Sequence, residues 1–412
     1  MKPVWASKPD GSLFLAAVDG GFSWSPSQNV FLGHRRRRFG VAHRALTKYN
    51  TAMEKLSDKL VARPSEKAKA QPNTGIDSSL PGASAGAFSW TTRATGSCEG
   101  RVADPLQACR ICPRACGVDR WAERGYCGAG ALVKVARAAL HHWEEPCLSG
   151  ERGSGTVFFS YCNLRCVFCQ NYRISQEGFG AELTSEELAE VFLHLQELGA
   201  HNLNLVTPTP YVPQIREALI LAKHNGLTLP VVYNSNAYET VESLRSLEGL
   251  VDVYLPDLKY FSAALSIKYS HAPDYFALAT LAITEMHRQV GNPLFDSSGM
   301  LLRGLMIRHL LVPGLYYDSQ QVIRWVLTHL PREVHLNLLG QYIPLGRAAE
   351  YPEINRRLSR KRYEQLVEFA LLHGWVSGYA QEHGSAAEAY VPEFNLDGLD
   401  FLLARREAPT TS

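Results

Sequence analysis

From about Thr156 onward the chain alternates short apolar runs with amphipathic stretches of helical period, and nothing else in the sequence restricts the fold as much. The strand-like runs are Thr156–Tyr161, Leu203–Thr207, Pro230–Asn234, Val251–Leu255, Leu305–Val312 and Glu333–Leu339. Helical patterns fall between and after them, at Leu188–Leu198, Tyr211–Asn225, Glu239–Leu247, Asp274–Val290, Ser319–Leu330 and Arg360–His373. Thr184 and Glu187 have the spacing of a capping box ahead of the first of these. Short apolar strands alternating with amphipathic helices specify a parallel sheet of βα units. Six units are too few for eight-stranded closure, so the expected fold is α/β, a partial (β/α)6 barrel. In such barrels the ligand-binding residues collect in loops after the strand C-termini.

The cysteines divide the rest of the chain. All nine lie between Cys98 and Cys169, and none follows in the last 243 residues. An odd count, tight clustering and no secretory signal pattern argue against a disulfide framework and for thiols that bind metal in a reducing compartment. Cys162, Cys166 and Cys169 form a C-x3-C-x2-C motif directly after the first strand. Three thiolates on one loop can each ligate one iron of a [4Fe–4S] cube, which leaves the fourth iron open to an external chelator. The bland alternatives are a zinc loop completed by a fourth ligand, or buried thiols. Upstream, Cys109, Cys112, Cys116 and Cys127 are spaced C-x2-C-x3-C-x10-C, a set suited to a closed zinc site or a second [4Fe–4S] cluster. Cys98 and Cys147 have no evident partners. The His141–His142 pair precedes an acidic Glu144–Glu145, and the stretch reads as a helix or loop surface rather than a metal site.

The three-cysteine loop resembles the signature of the radical S-adenosylmethionine superfamily, with Phe168 at its aromatic place. The strings CPRACGV, HHWEEPCLSGERGSGTVFFS, CQNYRISQEG, GAHNLNLVTP, VDVYLPDLKY and RHLLVPG extend the resemblance over roughly residues 105 to 375. Within the superfamily the chain is most similar to uncharacterised relatives of pyruvate formate-lyase activating enzyme. The resemblance implies a [4Fe–4S] cluster on Cys162, Cys166 and Cys169, with S-adenosylmethionine bound at the open iron. It implies reductive cleavage to a 5′-deoxyadenosyl radical that abstracts hydrogen from a substrate, and a reductant such as flavodoxin or ferredoxin. It also points to strand-end residues as cofactor contacts: Phe168, Asn204, Thr207, Asn234, Asp257 and Lys259. Ser235 stands beside Asn234 at the third strand end. The sequence VTPTP after the second strand departs from the superfamily's usual Gly-Gly-Glu-like element, so polar or backbone groups must replace its carboxylate. Arg308 and His309 sit in the fifth strand, where alternation sends them to opposite faces.

The expected organisation is a disordered or weakly structured basic extension (1–97), a cysteine-rich metal-binding module (98–150), the barrel (151–380) and a C-terminal tail (381–412). The extension carries 14 Lys and Arg against 6 Asp and Glu, including Arg35 to Arg38. A helix over Ala42–Val61 is the single regular element expected there. A basic, acid-poor start also resembles an organelle transit peptide, which would move the expected location from the cytoplasm to an organelle matrix. The formal net charge of +2 argues neither for nor against a nucleic-acid partner, and none is expected; no apolar run reaches the length of a membrane span, so no membrane partner is expected either. Three functions compete: an activating enzyme acting on a partner protein, a radical enzyme acting on a small molecule or peptide, and a non-catalytic zinc-stabilised binding protein. The last needs an extra ligand for the three-cysteine loop, for which His201 is the candidate.

Overall fold

Six strands of the expected barrel lie side by side and parallel. In chain order they are β4 (Ser154–Phe159), β6 (Leu203–Val206), β7 (Val231–Ser235), β8 (Val253–Pro256), β10 (Leu301–Leu310) and β11 (His335–Leu339). The computed structural model describes residues 104–381 and 392–407, with the strand backbones β1 (Pro3–Ser7) and β2 (Leu13–Ala17). These last two pair antiparallel, where the sequence shows no strand period. The rest of the 1–97 extension, the Ala42–Val61 helix and Cys98 lie outside the described residues.

Strands β4 and β7 are buried along their whole length, as a sheet covered on both faces requires. Their neighbours in sequence are amphipathic helices that pack on the sheet. The helix α3 (Ser185–Glu197) begins with the expected box: Glu187 N donates to Thr184 Oγ1 at 3.3 Å, and Thr184 N to Glu187 Oε2 at 2.9 Å. It buries Leu188, Val191, Phe192 and Leu195 against the barrel. The helices α4 (Val212–His224), α5 (Val241–Ser246), α7 (Tyr275–Val290), α8 (Tyr316–His329) and α9 (Arg360–Leu372) match the remaining expected ones. No helix among the described residues is long and apolar enough to cross a membrane.

Both edges of the six-stranded core are covered. Strand β3 (Val133–His141) pairs antiparallel with β4, and β5 (Ala181–Leu183) pairs with β3. The cysteine-rich segment therefore contributes a strand to the main sheet, and a boundary at 150 cuts through that sheet. At the other edge residues 377–381 run beside β11, with Leu338 N donating to Tyr379 O at 2.8 Å. The described part of the C-terminal segment joins the sheet at its other side. Leu396 and Asp397 exchange backbone bonds with Ala136 and Ala138 of β3, and Arg137 pairs with Asp397 at 2.7 Å. The final helix α10 (Asp400–Glu407) follows, with Arg405 and Arg406 paired to Glu190 and Glu187 of α3.

Candidate functional site

The loop after β4 turns through two non-glycine residues in the left-handed region, Tyr161 (φ 71°) and Arg165 (φ 57°). Such backbone costs about 1–3 kcal/mol per residue and persists where its surroundings impose it. The Tyr161 ring supplies part of that constraint. It lies so close to Gly178 (φ 69°) that a Cβ there would stand 2.3 Å from the ring. Thr207 (φ 61°) and Ala237 (φ 63°) repeat the left-handed turn after β6 and β7. Strain thus gathers at the strand C-termini, the end where βα barrels bind ligands.

This loop carries Cys162 and Cys166, both buried, and Cys169, half-buried. Each sulfur accepts a hydrogen bond from a different part of the fold: Asn236 Nδ2 to Cys162 at 3.4 Å, Ser270 Oγ to Cys166 at 2.9 Å, Ser175 Oγ to Cys169 at 3.3 Å. Ser270 ends a helix that the sequence period does not reveal, α6 (Ala263–Ser270). Ser175 ends the short α2 (Tyr172–Ser175). Burial pushes the Cys166 thiol up to about 12 and raises Cys169, and neighbouring sulfurs of the set add to both shifts. A buried, mutually repelling set of thiols with a donor at each sulfur loses its protons when cations bind. Among the described residues no three His, Cys, Asp or Glu side chains converge as ligands of one ion. A cube offers each thiolate its own iron, whereas a single zinc ion held by three thiolates needs a fourth ligand. The residue expected to supply that ligand lies elsewhere. His201 precedes β6, at the opposite end of the strands from the loop, where its ring meets Arg152.

The expected strand-end residues are placed as follows. Lys259 Nζ pairs with Asp257 Oδ2 at 2.7 Å just beyond β8. Burial opposes its charge, but Asp257 and the nearby Cys166 thiol together raise its pKa. Tyr275, unmarked in the sequence, ties this strand end to its neighbour: its hydroxyl donates towards Asp257 O (2.7 Å) and Asn236 O (2.9 Å) and accepts from Lys259 N at 2.9 Å. Asn234 is buried and its carbonyl accepts from Thr207 N at 2.9 Å. Ser235 Oγ accepts from Ala237 N at 3.1 Å. The side chain on the cysteine loop is Asn236, two residues beyond Asn234. Besides Cys162 it reaches Asn163 Oδ1 at 2.8 Å, and Asn163 in turn reaches Tyr238 O at 2.7 Å. Phe168 is buried between Tyr269 and Tyr342, with ring centroids 6.4 and 5.8 Å away.

Asn204 belongs to a second polar cluster inside the barrel. Its Nδ2 donates to Glu144 Oε1 at 3.0 Å, while its Oδ1 is buried without a partner among the described residues. Glu144 and Glu145 both pair with Arg308, and Asn337 Nδ2 donates to Glu145 Oε1 at 2.8 Å. Residues of β6, β10 and β11 meet here, so the pair Glu144–Glu145 fills the barrel interior and is not a solvated surface. Arg308 is the inward residue of its strand. His309 has its Nδ1 at 2.7 Å from Leu258 O and a buried Nε2 with no partner among the described residues, and burial lowers its pKa to about 4.

The upstream cysteines surround a set of tight turns that dock on the cysteine loop. Cys109 and Cys112 are buried, Cys127 is half-buried and Cys116 is exposed. Burial raises Cys112 to about 12 and Cys127 above its ordinary value, each with a smaller contribution from neighbouring thiols of the group. The physical link to the first site is Arg114. Its Nε donates to Asn163 O at 2.8 Å, and its other nitrogens to Ser270 O (3.1 Å) and to His271 O. The guanidinium also lies 4.1 Å from the Tyr126 ring centroid and 5.2 Å from that of Tyr238.

Compared with known proteins, residues 156–290 match the Radical SAM superfamily. A protein described as "Uncharacterized protein MJ0674" from Methanocaldococcus jannaschii is 33% identical over 272 residues, which cover 64% of this chain and 74% of that one. "Uncharacterized protein MJ0808" from the same organism is 27% identical over 176 residues, covering 39% of this chain and 51% of its own. A solved aldo/keto reductase from Brucella melitensis aligns with a TM-score of 0.18 and 13% identity over 55% of this chain and 96% of its own, a likeness that carries no argument.

Proposed function

Since the chain belongs to the radical SAM superfamily, an iron–sulfur, S-adenosylmethionine-binding class of enzyme, we propose that Cys162, Cys166 and Cys169 hold its [4Fe–4S] cluster. The observation that carries this reading is the separate hydrogen-bond donor at each of the three sulfurs, on one loop at the C-terminal end of the barrel. When bound, the cluster and S-adenosylmethionine supply one-electron reduction and hydrogen-atom abstraction. The chain's own part is orientation and protection. Ser270, Ser175 and Asn236 fix the sulfurs and favour their ionised form. Lys259, held by Asp257, places a cation near Cys166, suited to the cofactor carboxylate. Asn234 and Thr207 offer polar groups at neighbouring strand ends, and Phe168 with Tyr269 and Tyr342 excludes water from the loop. No side chain here is asked to act as a conventional acid–base pair.

The substrate belongs to the finer part of the proposal. An activating-enzyme role, with hydrogen taken from a glycine of a partner protein, follows from the sequence resemblance; a small-molecule or peptide substrate is the alternative. A low-potential protein such as flavodoxin or ferredoxin is the proposed reductant. The upstream cysteines are proposed to hold zinc or a second cluster. The direct test is Cys166→Ala in anaerobically reconstituted protein. It should abolish reductive cleavage of S-adenosylmethionine while the far-ultraviolet circular dichroism stays unchanged. Undiminished cleavage refutes the assignment of the site.

A further inference from the structure

Two hydrogen bonds in series end on Cys166. Ser270 Oγ donates to its sulfur at 2.9 Å, and the Tyr260 hydroxyl lies 2.8 Å from that same Ser270 Oγ. A serine hydroxyl has one proton, so a Ser270 that serves Cys166 has only its lone pairs left for Tyr260. The phenol is then the donor, and the bonds run from Tyr260 to Ser270 to sulfur. All three residues are buried, Ser270 and Tyr260 completely. In such an interior consecutive hydrogen bonds polarise and strengthen one another.

The fold holds both hydroxyls in place. Ser270 ends α6, and its carbonyl accepts from Arg114 Nη2 at 3.1 Å. The carbonyl before it, on Tyr269, accepts from Val167 N of the cysteine loop at 2.9 Å. Tyr260 follows Lys259 just beyond β8, and its ring meets that of Tyr275 edge-on with centroids 5.5 Å apart. The Tyr275 hydroxyl is itself fixed by backbone groups of Lys259, Asp257 and Asn236. Lys259 acts on Cys166 by its charge. Two consecutive residues of one strand end thus reach the same sulfur, one through space and the other through Ser270. Cys162 is served differently: its donor Asn236 is braced by a backbone amide, Tyr238 N to Asn236 Oδ1 at 2.9 Å.

We infer that Tyr260 is a positioning residue for the cluster, which acts through Ser270 to strengthen the hydrogen bond onto Cys166 Sγ and so raises the reduction potential. The inference rests on the proposed assignment of Cys166 as a cluster ligand. Hydrogen bonds to the sulfurs are among the factors that set the potential of an iron–sulfur cluster. Reduction adds negative charge to the cluster, so a donor aimed at a sulfur favours the reduced form.

The test is the midpoint potential of the cluster whose paramagnetic signal responds to S-adenosylmethionine, in the full chain after anaerobic reconstitution. It is measured across a double-mutant cycle of Tyr260→Phe and Ser270→Ala, with iron content determined in each protein. Ser270→Ala should move the one-electron equilibrium roughly tenfold against reduction, about 59 mV. Tyr260→Phe keeps the ring and should move it the same way by about twofold to fourfold. In the Ser270→Ala background Tyr260→Phe should add nothing, because the relay is already cut. Equal shifts from Tyr260→Phe in both backgrounds, or an unchanged potential in Tyr260→Phe alone, overturn the relay and leave Tyr260 a packing residue. Wild-type protein that takes up no iron sinks the cluster assignment and this inference together, whereas a formed cluster with additive shifts overturns the inference alone.

Discussion

Arg114 belongs to the upstream cysteine segment, yet every hydrogen bond described for its side chain reaches the cluster loop or the helix end that supports it. Arg114→Ala removes three charge-assisted bonds and the stacking on Tyr126 and Tyr238. Bonds to charged groups are worth about 1.5–3 kcal/mol each and exposed cation–π contacts about 0.5–1 kcal/mol. The side chain is half-buried, so water takes over part of this, and a net loss of about 2–3 kcal/mol remains. That is a factor of roughly 30–150 in the equilibrium between docked and undocked loop. The assay is hydrogen–deuterium exchange of the peptide spanning residues 162–171, read alongside retained iron after reconstitution. Exchange should quicken by that factor and iron retention should fall, with Arg114→Lys intermediate because an ammonium keeps the charge but lacks the spread of the planar guanidinium and its stacking on the two tyrosines. Exchange and iron content unchanged in Arg114→Ala would refute the coupling of the two cysteine groups.

Arg308 faces two buried carboxylates, so Arg308→Leu should cost about 3–5 kcal/mol and lower the melting temperature by several degrees. Adding Glu144→Gln and Glu145→Gln should recover much of that loss, and a stability change below about 1 kcal/mol would show that the network is not buried as described. Glu239 is buried, bonded by Thr209 at 2.6 Å, and desolvation raises its pKa to about 7. The folded chain then holds a proton that the unfolded chain releases near pH 4.5, so this group's contribution to stability falls as pH rises from about 4.5 to 7. Denaturant unfolding of Glu239→Gln should lack that fall, which amounts to roughly 3 kcal/mol at most, and identical pH profiles would refute the assignment.

The barrel was legible because its signals are local. Six buried strands and the capping box at Thr184 announce themselves within a few residues of sequence. What escaped depends on partners far along the chain. Strand β3 is alanine-rich and acquires its identity from pairing with β4 and from the C-terminal segment at Asp397. Glu144 and Glu145 look like a solvated surface until Arg308, more than 160 residues away, is brought against them. The three cysteines were visible from spacing alone. Their hydrogen-bond donors were not, because Ser175, Asn236 and Ser270 come from three separate elements and follow no spacing rule. Asn236 shows how fine that limit is. Strand-end reasoning reached Asn234 and Ser235 and stopped one residue short of Asn236, whose side chain bonds Cys162.

The account rests on one claim above the others, that the three-cysteine loop carries a cluster with an open iron. Iron and sulfide content, with electron paramagnetic resonance of anaerobically purified and dithionite-reduced protein, tests it directly. About four irons per chain should be assigned to this loop, giving a reduced [4Fe–4S] signal that changes when S-adenosylmethionine is added. Protein that takes up no iron on anaerobic reconstitution, or whose signal is indifferent to S-adenosylmethionine, would contradict it.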